Sequence, residues 1–94
     1  MIRAGRPFPL GAVCATPGAL AALAAAGQPA SAFLRRHAAG DWGEVDEHDW
    51  AANDDALAQG TRLVSAFTLS TGERIWVITE ADRSATTILR PDEY

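Results

Sequence analysis

Apolar and polar side chains alternate with a period of two along the last third of the chain. Leu63, Ser65, Phe67 and Leu69 fall on one side, and Arg62, Val64, Ala66 and Thr68 on the other, as they do when successive side chains point to opposite faces of a strand. Val, Ile, Thr, Phe and Trp dominate this region, and they fit a pleated, half-buried surface. Ser70-Thr71-Gly72-Glu73 interrupts the pattern, and Gly72 supplies the positive φ of a short hairpin turn. In the second run, Arg74 to Thr79, Ile75 and Val77 point one way and Trp76 and Ile78 the other. A strand apolar on both faces is expected to be covered twice, which places Trp76 in the core. Glu80 to Ser84 reads as a polar turn. Thr86 to Leu89 is the third run, and Pro91, which cannot donate to a ladder, ends it.

Upstream the period lengthens. Met1 to Arg6 reads as a loose end, and Arg6 to Gly11 as extended, because Pro7 and Pro9 fix φ and bias the residues before them away from helix. Ala12 to Ala15 fits a short strand. Thr16-Pro17 is a helix start, a hydroxyl cap followed by proline in the first turn, and Gly27 is the matching stop. Leu20 and Leu23 form the apolar side of that helix. A second helix opens at Pro29 or Ser31, carries Phe33, Leu34 and His37 on one face, and stops at Gly40. Arg35, Arg36 and His37 suit the negative end of its dipole. Asp46 caps a third helix, with Glu47 and Asp49 in its first turn and Gly60 as its stop. Trp50, Asn53, Asp54 and Leu57 share one face there, but only the two ends are apolar. This helix is expected to lie across the surface, pinned by Trp50 and Leu57. Helices in a block followed by strands in a block predict an α+β fold: N-terminal helices packed on a C-terminal three- to four-stranded antiparallel sheet. A chain of 94 residues makes one domain, with a helical part at about 16–60 and a meander at about 62–90.

Composition narrows the function classes. No apolar run approaches the ~20 residues of a membrane span, and no secretory leader is visible. The single cysteine, Cys14, allows no intramolecular disulfide and suits a reducing cytoplasm; it is expected as a small buried residue. The net charge of −4 argues against direct nucleic-acid binding, which wants a basic face. All eight cations are arginines, a bias that a GC-rich coding sequence explains along with the many alanines.

The most distinctive chemistry is acidic. Seven of the twelve acids, Asp41, Glu44, Asp46, Glu47, Asp49, Asp54 and Asp55, lie in one stretch without a lysine or arginine. The plainest account is a solvated helix face. The functional account is a surface that docks on a basic protein partner, with Trp42 and Trp50 flanking it as anchors. His37, Asp41 and His48 are the only metal candidates, and no HExxH or CxxC spacing supports them, so no metal or cofactor is expected. A catalytic reading would use His37 as base, with Glu80, Arg83 and Thr87 supplying acid, phosphate and hydroxyl contacts, in the manner of a small toxin-like ribonuclease. The acidic balance opposes it. An exposed sheet edge would also allow a homodimer.

Three stretches carry a resemblance: ATPGAL after the extended start, RHAAGDWGEVDEHDWAANDDAL, and GERIWVITEADRSATTILRPDEY. From about Pro9 to Tyr94 the chain resembles a small family of plasmid-related proteins of bacterial mobile elements. The strongest pieces are Arg36-His37 with Gly40-Asp41-Trp42-Gly43, Trp76 through Thr87, and Pro91-Asp92-Glu93-Tyr94. No activity is established for that family, so no catalytic residue carries over. The resemblance implies a mobile-element setting, in which small acidic proteins counter host defence complexes of the CRISPR or restriction type. The expectation is therefore a cytoplasmic, non-enzymatic interaction protein acting through its acidic surface.

Overall fold

A computed structural model describes residues 8–94; the expected loose end at Met1–Arg6, and Arg6-Pro7 of the extended stretch, lie outside them. The elements in chain order are β1 (Ala12–Ala15), α1 (Pro17–Ala26), α2 (Ala30–Ala38), α3 (Glu47–Gln59), β2 (Leu63–Thr68), β3 (Arg74–Thr79) and β4 (Ala85–Leu89), closed by a 3-10 turn at Pro91–Glu93. The fold is α+β, with three α-helices and a four-stranded sheet. No helix of the described residues is long and apolar enough to cross a membrane.

The helix ends follow the local chemistry. The Thr16 hydroxyl accepts from the Ala19 N–H at 3.1 Å, and the Asp46 carboxylate from the Asp49 N–H at 2.8 Å. Gly27 and Gly60 take left-handed φ values of 66° and 69°, where a side chain would strain the backbone.

The expected antiparallel sheet needs correction. The spatial order is β1-β4-β3-β2. The meander β2-β3-β4 is antiparallel, but β1 runs parallel to β4, with Ala12 opposite Ala85 and Ala15 opposite Ile88. The sheet is mixed, and one strand precedes all the helices. The reason is topological: α1 and α2 carry the chain back over one face, so a strand entering before them lies beside the last strand in the same direction.

That face is built from Leu63, Ser65, Phe67, Ile75, Val77, Thr79, Thr86 and Ile88, which the register aligns across the strands. Ala19, Ala22 and Leu23 of α1 and Phe33 of α2 close over it. Alanines at the contact let α1 approach the sheet closely. A second cluster, Trp42, Ala56 and Leu63, sits by α3, with Phe8, Val45, Trp50 and Leu57 packed against it. Trp50 and Leu57 thus pin α3 as the sequence predicts. Between them Asn53 is buried, and its side chain exchanges two hydrogen bonds with the Val64 backbone, 2.8 Å from Nδ2 to the carbonyl and 3.2 Å from the N–H to Oδ1. That pair docks α3 on β2. Cys14, expected inside, is exposed, because β1 is the outermost strand.

Candidate functional site

The acidic stretch divides once folded. Asp41 accepts from Arg36 Nε at 2.7 Å and from the Gly43 N–H at 3.0 Å. Burial raises its carboxyl, but these bonds and the nearby guanidinium outweigh that and hold it below the ordinary range. Asp54 accepts from the Trp42 indole at 3.0 Å. Trp42 itself is 0% exposed, stacked on Phe8, so it is a core residue and not a partner anchor. Trp42 therefore leaves the expected docking set, and Asp41 and Asp54 are each engaged by an internal hydrogen bond.

Of the rest, Glu44, Asp46, Glu47 and Asp49 surround the N-terminus of α3, and Asp55 lies further along the helix. A groove of about 540 Å³ runs between that helix end and the back face of the sheet, lined by Glu44, Val45, Asp46, Asp49, Ala52, Asn53, Val64, Ala66, Arg74 and Trp76. Val64, Ala66 and Trp76 lie on the face that α1 and α2 do not cover, and they form an apolar floor. Glu44, Asp46 and Asp49 form an acidic wall, and Arg74, cross-strand from Thr68, stands at the Glu44 end. Trp76, expected in the core, is half-buried, with its indole edge-on to Tyr94 at 5.6 Å. A smaller recess of about 300 Å³, lined by Val45, Glu47, Trp50 and Ala51, lies beside the same helix end.

Two of the three wall residues, Glu44 and Asp46, are placed by local hydrogen bonds. The Glu44 carboxylate accepts from the Thr68 N–H at 2.8 Å, and that bond, with Arg74 and Arg36 nearby, keeps it below the usual carboxylate range. Asp46 is held by its capping bond. Glu47, Asp49 and Asp55 make no ion pair with the described residues and project into solvent. The segment bearing Glu44 is itself an added edge of the sheet: Glu44 N–H donates to the Ala66 carbonyl at 2.7 Å and Ala66 N–H to Trp42 at 3.1 Å.

The catalytic candidates do not converge on a cleft. His37 is fully buried, and both ring nitrogens have internal partners: Nδ1 lies 2.5 Å from Ser65 Oγ and Nε2 lies 2.8 Å from Thr79 Oγ1. Thr79 Oγ1 lies 2.7 Å from Thr86 Oγ1, which donates to the Leu10 carbonyl at 2.7 Å. The carbonyl end fixes the direction of this chain. Thr86 spends its proton on Leu10, so Thr79 donates to Thr86, His37 Nε2–H donates to Thr79, and Ser65 donates to Nδ1. His37 is thus the neutral Nε2–H tautomer, and burial together with the Arg83 charge lowers its pKa to about 4.

Arg83, at φ 61°, is equally committed. Its Nη1 donates to the carbonyls of Thr61, Glu80 and Ala81 at 2.7, 3.1 and 3.2 Å, and its Nη2 to Ala56 at 3.1 Å. It ties the end of α3 to the β3–β4 turn. Glu80 is exposed, and Thr87 lies on the sheet face opposite Thr86. Arg83→Lys is expected to cost about 1–2 kcal/mol of stability, since a single ammonium cannot reach both groups of carbonyls; urea unfolding checks it, and an unchanged midpoint would deny the clamp.

His37, Asp41 and His48 are likewise dispersed, and no group of three or more potential metal ligands gathers among the described residues. The sequence identified the acidic wall through its charge. It missed the floor: Val64, Ala66 and Trp76 looked like ordinary strand residues, and the one available signal was a strand apolar on both faces. Comparison with protein-family models, curated proteins and solved structures finds no match to this chain.

Proposed function

We propose that this protein is a non-enzymatic binding protein whose acid-walled groove receives a cationic, arginine- or lysine-bearing segment of a protein partner. The observation that carries the reading is the pairing of a half-buried tryptophan floor with three carboxylates on one wall. A long cationic side chain lays its aliphatic stem along Val64 and Trp76 and sets its charged head against Asp46 and Asp49. The indole face adds a cation–π attraction of about 0.5–1 kcal/mol at such an exposed site. Arg74 beside Glu44 leaves the Asp46 and Asp49 end of the groove the more electronegative, which gives a bound segment one orientation. In the mobile-element setting that the sequence resemblance implies, a nucleic-acid-binding protein of a host defence complex carries segments of this kind. The toxin-like ribonuclease reading loses its support, because its base and its anion holder are both occupied inside the fold.

The test uses a fluorescently labelled arginine nonapeptide and fluorescence anisotropy. Binding is expected to weaken as salt rises, because exposed charges are screened over about 8 Å at physiological ionic strength. Asp49→Arg is expected to weaken it about ten-fold, the equivalent of ~1.4 kcal/mol. Asp55→Arg, on the same helix but outside the groove, is expected to change it little. Equal effects of the two reversals would show attraction by net charge alone and would remove the groove from the account.

A further inference from the structure

The two edges of the sheet are treated differently. The β2 edge is closed by Trp42–Glu44, with Gly43 bridging Ala66. The β1 edge ends the sheet and has no such cover among the described residues. Ala12 N–H donates to Ser84 and Thr16 N–H to Ile88, both at 3.0 Å. In a parallel ladder alternate residues turn toward the neighbouring strand. Ala12, Cys14 and Thr16 therefore face β4, and the backbone N–H and C=O of Val13 and Ala15 point outward, without a partner among the described residues.

Among the described residues, β1 and α1 bring no charge of their own to the surface around this edge; the nearby carboxylate, Glu93, accepts from the Thr16 hydroxyl at 2.6 Å, just past the end of β1. Val13 is 49% exposed and Leu20 54%, and Ala21, Ala24 and Ala25 of α1 are exposed beside them. No residue of β1 or α1 is charged, in a chain of net charge −4. Two copies of this chain repel one another across most approaches, but not across this strip. A strand edge also complements itself under a two-fold rotation, since each N–H meets a C=O of the other copy.

We propose that β1 pairs antiparallel with β1 of a second copy, about a two-fold axis through Cys14, joining two sheets into one of eight strands. The outward groups fix the register. Val13 and Ala15 must occupy hydrogen-bonded sites, so Val13 of one copy faces Ala15 of the other and Cys14 faces Cys14 at the non-hydrogen-bonded site between them. Centring on Ala15 would set Val13 against Pro17, which has no N–H to give. Centring on Val13 would set Ala15 against Gly11, whose φ of 67° leaves the extended region. At the proposed centre the two Cys14 Cα atoms lie about 4.5 Å apart, within disulfide reach. The contact is shorter than the ~1,200 Å² of a stable standard interface, so the dimer is concentration-dependent. This inference is independent of the groove, which lies at the far edge of the sheet.

Sedimentation velocity over a concentration series, under reducing conditions, provides the test. Wild type and Cys14→Ser are expected to dimerise alike as concentration rises. Val13→Lys, at an exposed side chain, and Val13→Pro, at an N–H that faces away from β4, are each expected to raise the dimer Kd at least ten-fold. Circular dichroism is expected to show the Val13→Lys monomer folded, which keeps the test falsifiable even if the proline variant is not. At concentrations where wild type is dimeric, diamide, which takes up the two thiol hydrogens, is expected to join Cys14 to Cys14 rapidly, and much more slowly in Val13→Lys. A monomer at every concentration, a dimer indifferent to both Val13 variants, or a dimer that diamide does not cross-link would overturn the proposal.

Discussion

Acidification from pH 7 to pH 5 is expected to cost the protein about 2 kcal/mol through His37 alone, and about 3 kcal/mol by pH 4. The native pKa of about 4 stands against an ordinary value of 6.5. Between those values the unfolded chain takes up a proton that the folded chain refuses, so stability falls as pH falls through 6.5 and levels off below 4. The refusal has a structural cause. A second ring proton would sit on Nδ1, which already accepts from Ser65, in a fully buried site with the Arg83 guanidinium close by. Asp41, Glu44, Asp82 and Glu93 are held below their ordinary values. They withdraw stability in the same direction, but only as pH drops through the carboxylate range. The interval from pH 6.5 to 5 therefore isolates the histidine. Urea unfolding at several pH values should show the slope in wild type. His37→Gln, polar but without a titration in this range, should begin less stable and be nearly flat across that interval. An equal slope in the variant would move the effect to another group.

Gly43→Ala is expected to destabilise the fold by about 3 kcal/mol, a fall of roughly 15 °C in Tm for a domain of this size. Gly43 has φ 72°, and a Cβ there would stand 2.1 Å from the Ala66 carbonyl oxygen and 2.7 Å from the Phe67 ring. The left-handed backbone costs alanine about 1–2 kcal/mol. Relieving the clash pushes Trp42–Glu44 off the sheet, and each ladder bond lost costs about 1 kcal/mol more. Gly60→Ala is the control: its φ is 69°, but nothing lies within 4 Å of the added carbon, so only the backbone cost applies. Thermal unfolding of the two variants should separate them clearly, and equal losses would mean that the Trp42–Glu44 segment adds little. The same substitution also moves Glu44, so it should weaken peptide binding along with stability.

What the sequence made legible was local. Thr16, Gly27, Asp46 and Gly60 mark helix ends because capping is settled within a few residues, and the β2-β3-β4 meander follows from alternation and two turns. The place of β1 was not legible. Ala-Val-Cys-Ala carries no signal for parallel pairing with a strand from the other end of the chain, and that pairing is what exposes Cys14. The tryptophans exchanged roles for a related reason. Trp42 stands beside acids and Trp76 within an apolar run, but burial was decided by tertiary cover. The Trp42–Glu44 segment folds onto β2 with its indole inward, whereas α3 docks on β2 through Asn53 and leaves the sheet behind Trp76 open. Half of the candidate site, the acidic wall, was readable as charge; the floor depended on that missing cover. His37 shared its helix face with Phe33 and Leu34, as expected of a packed histidine, but its two hydroxyl partners, Ser65 and Thr79, come from two different strands far along the chain.

The central claim is that the groove over Trp76, and not diffuse negative charge, receives a cationic segment. Two-dimensional proton–nitrogen NMR of the tryptophan indoles during titration with the arginine nonapeptide tests it most directly, with Trp76→Phe assigning the resonance. The account predicts that the Trp76 indole shifts in a saturable manner while the buried Trp42 indole stays in place. A titration that binds the peptide but leaves the Trp76 indole unmoved would contradict it.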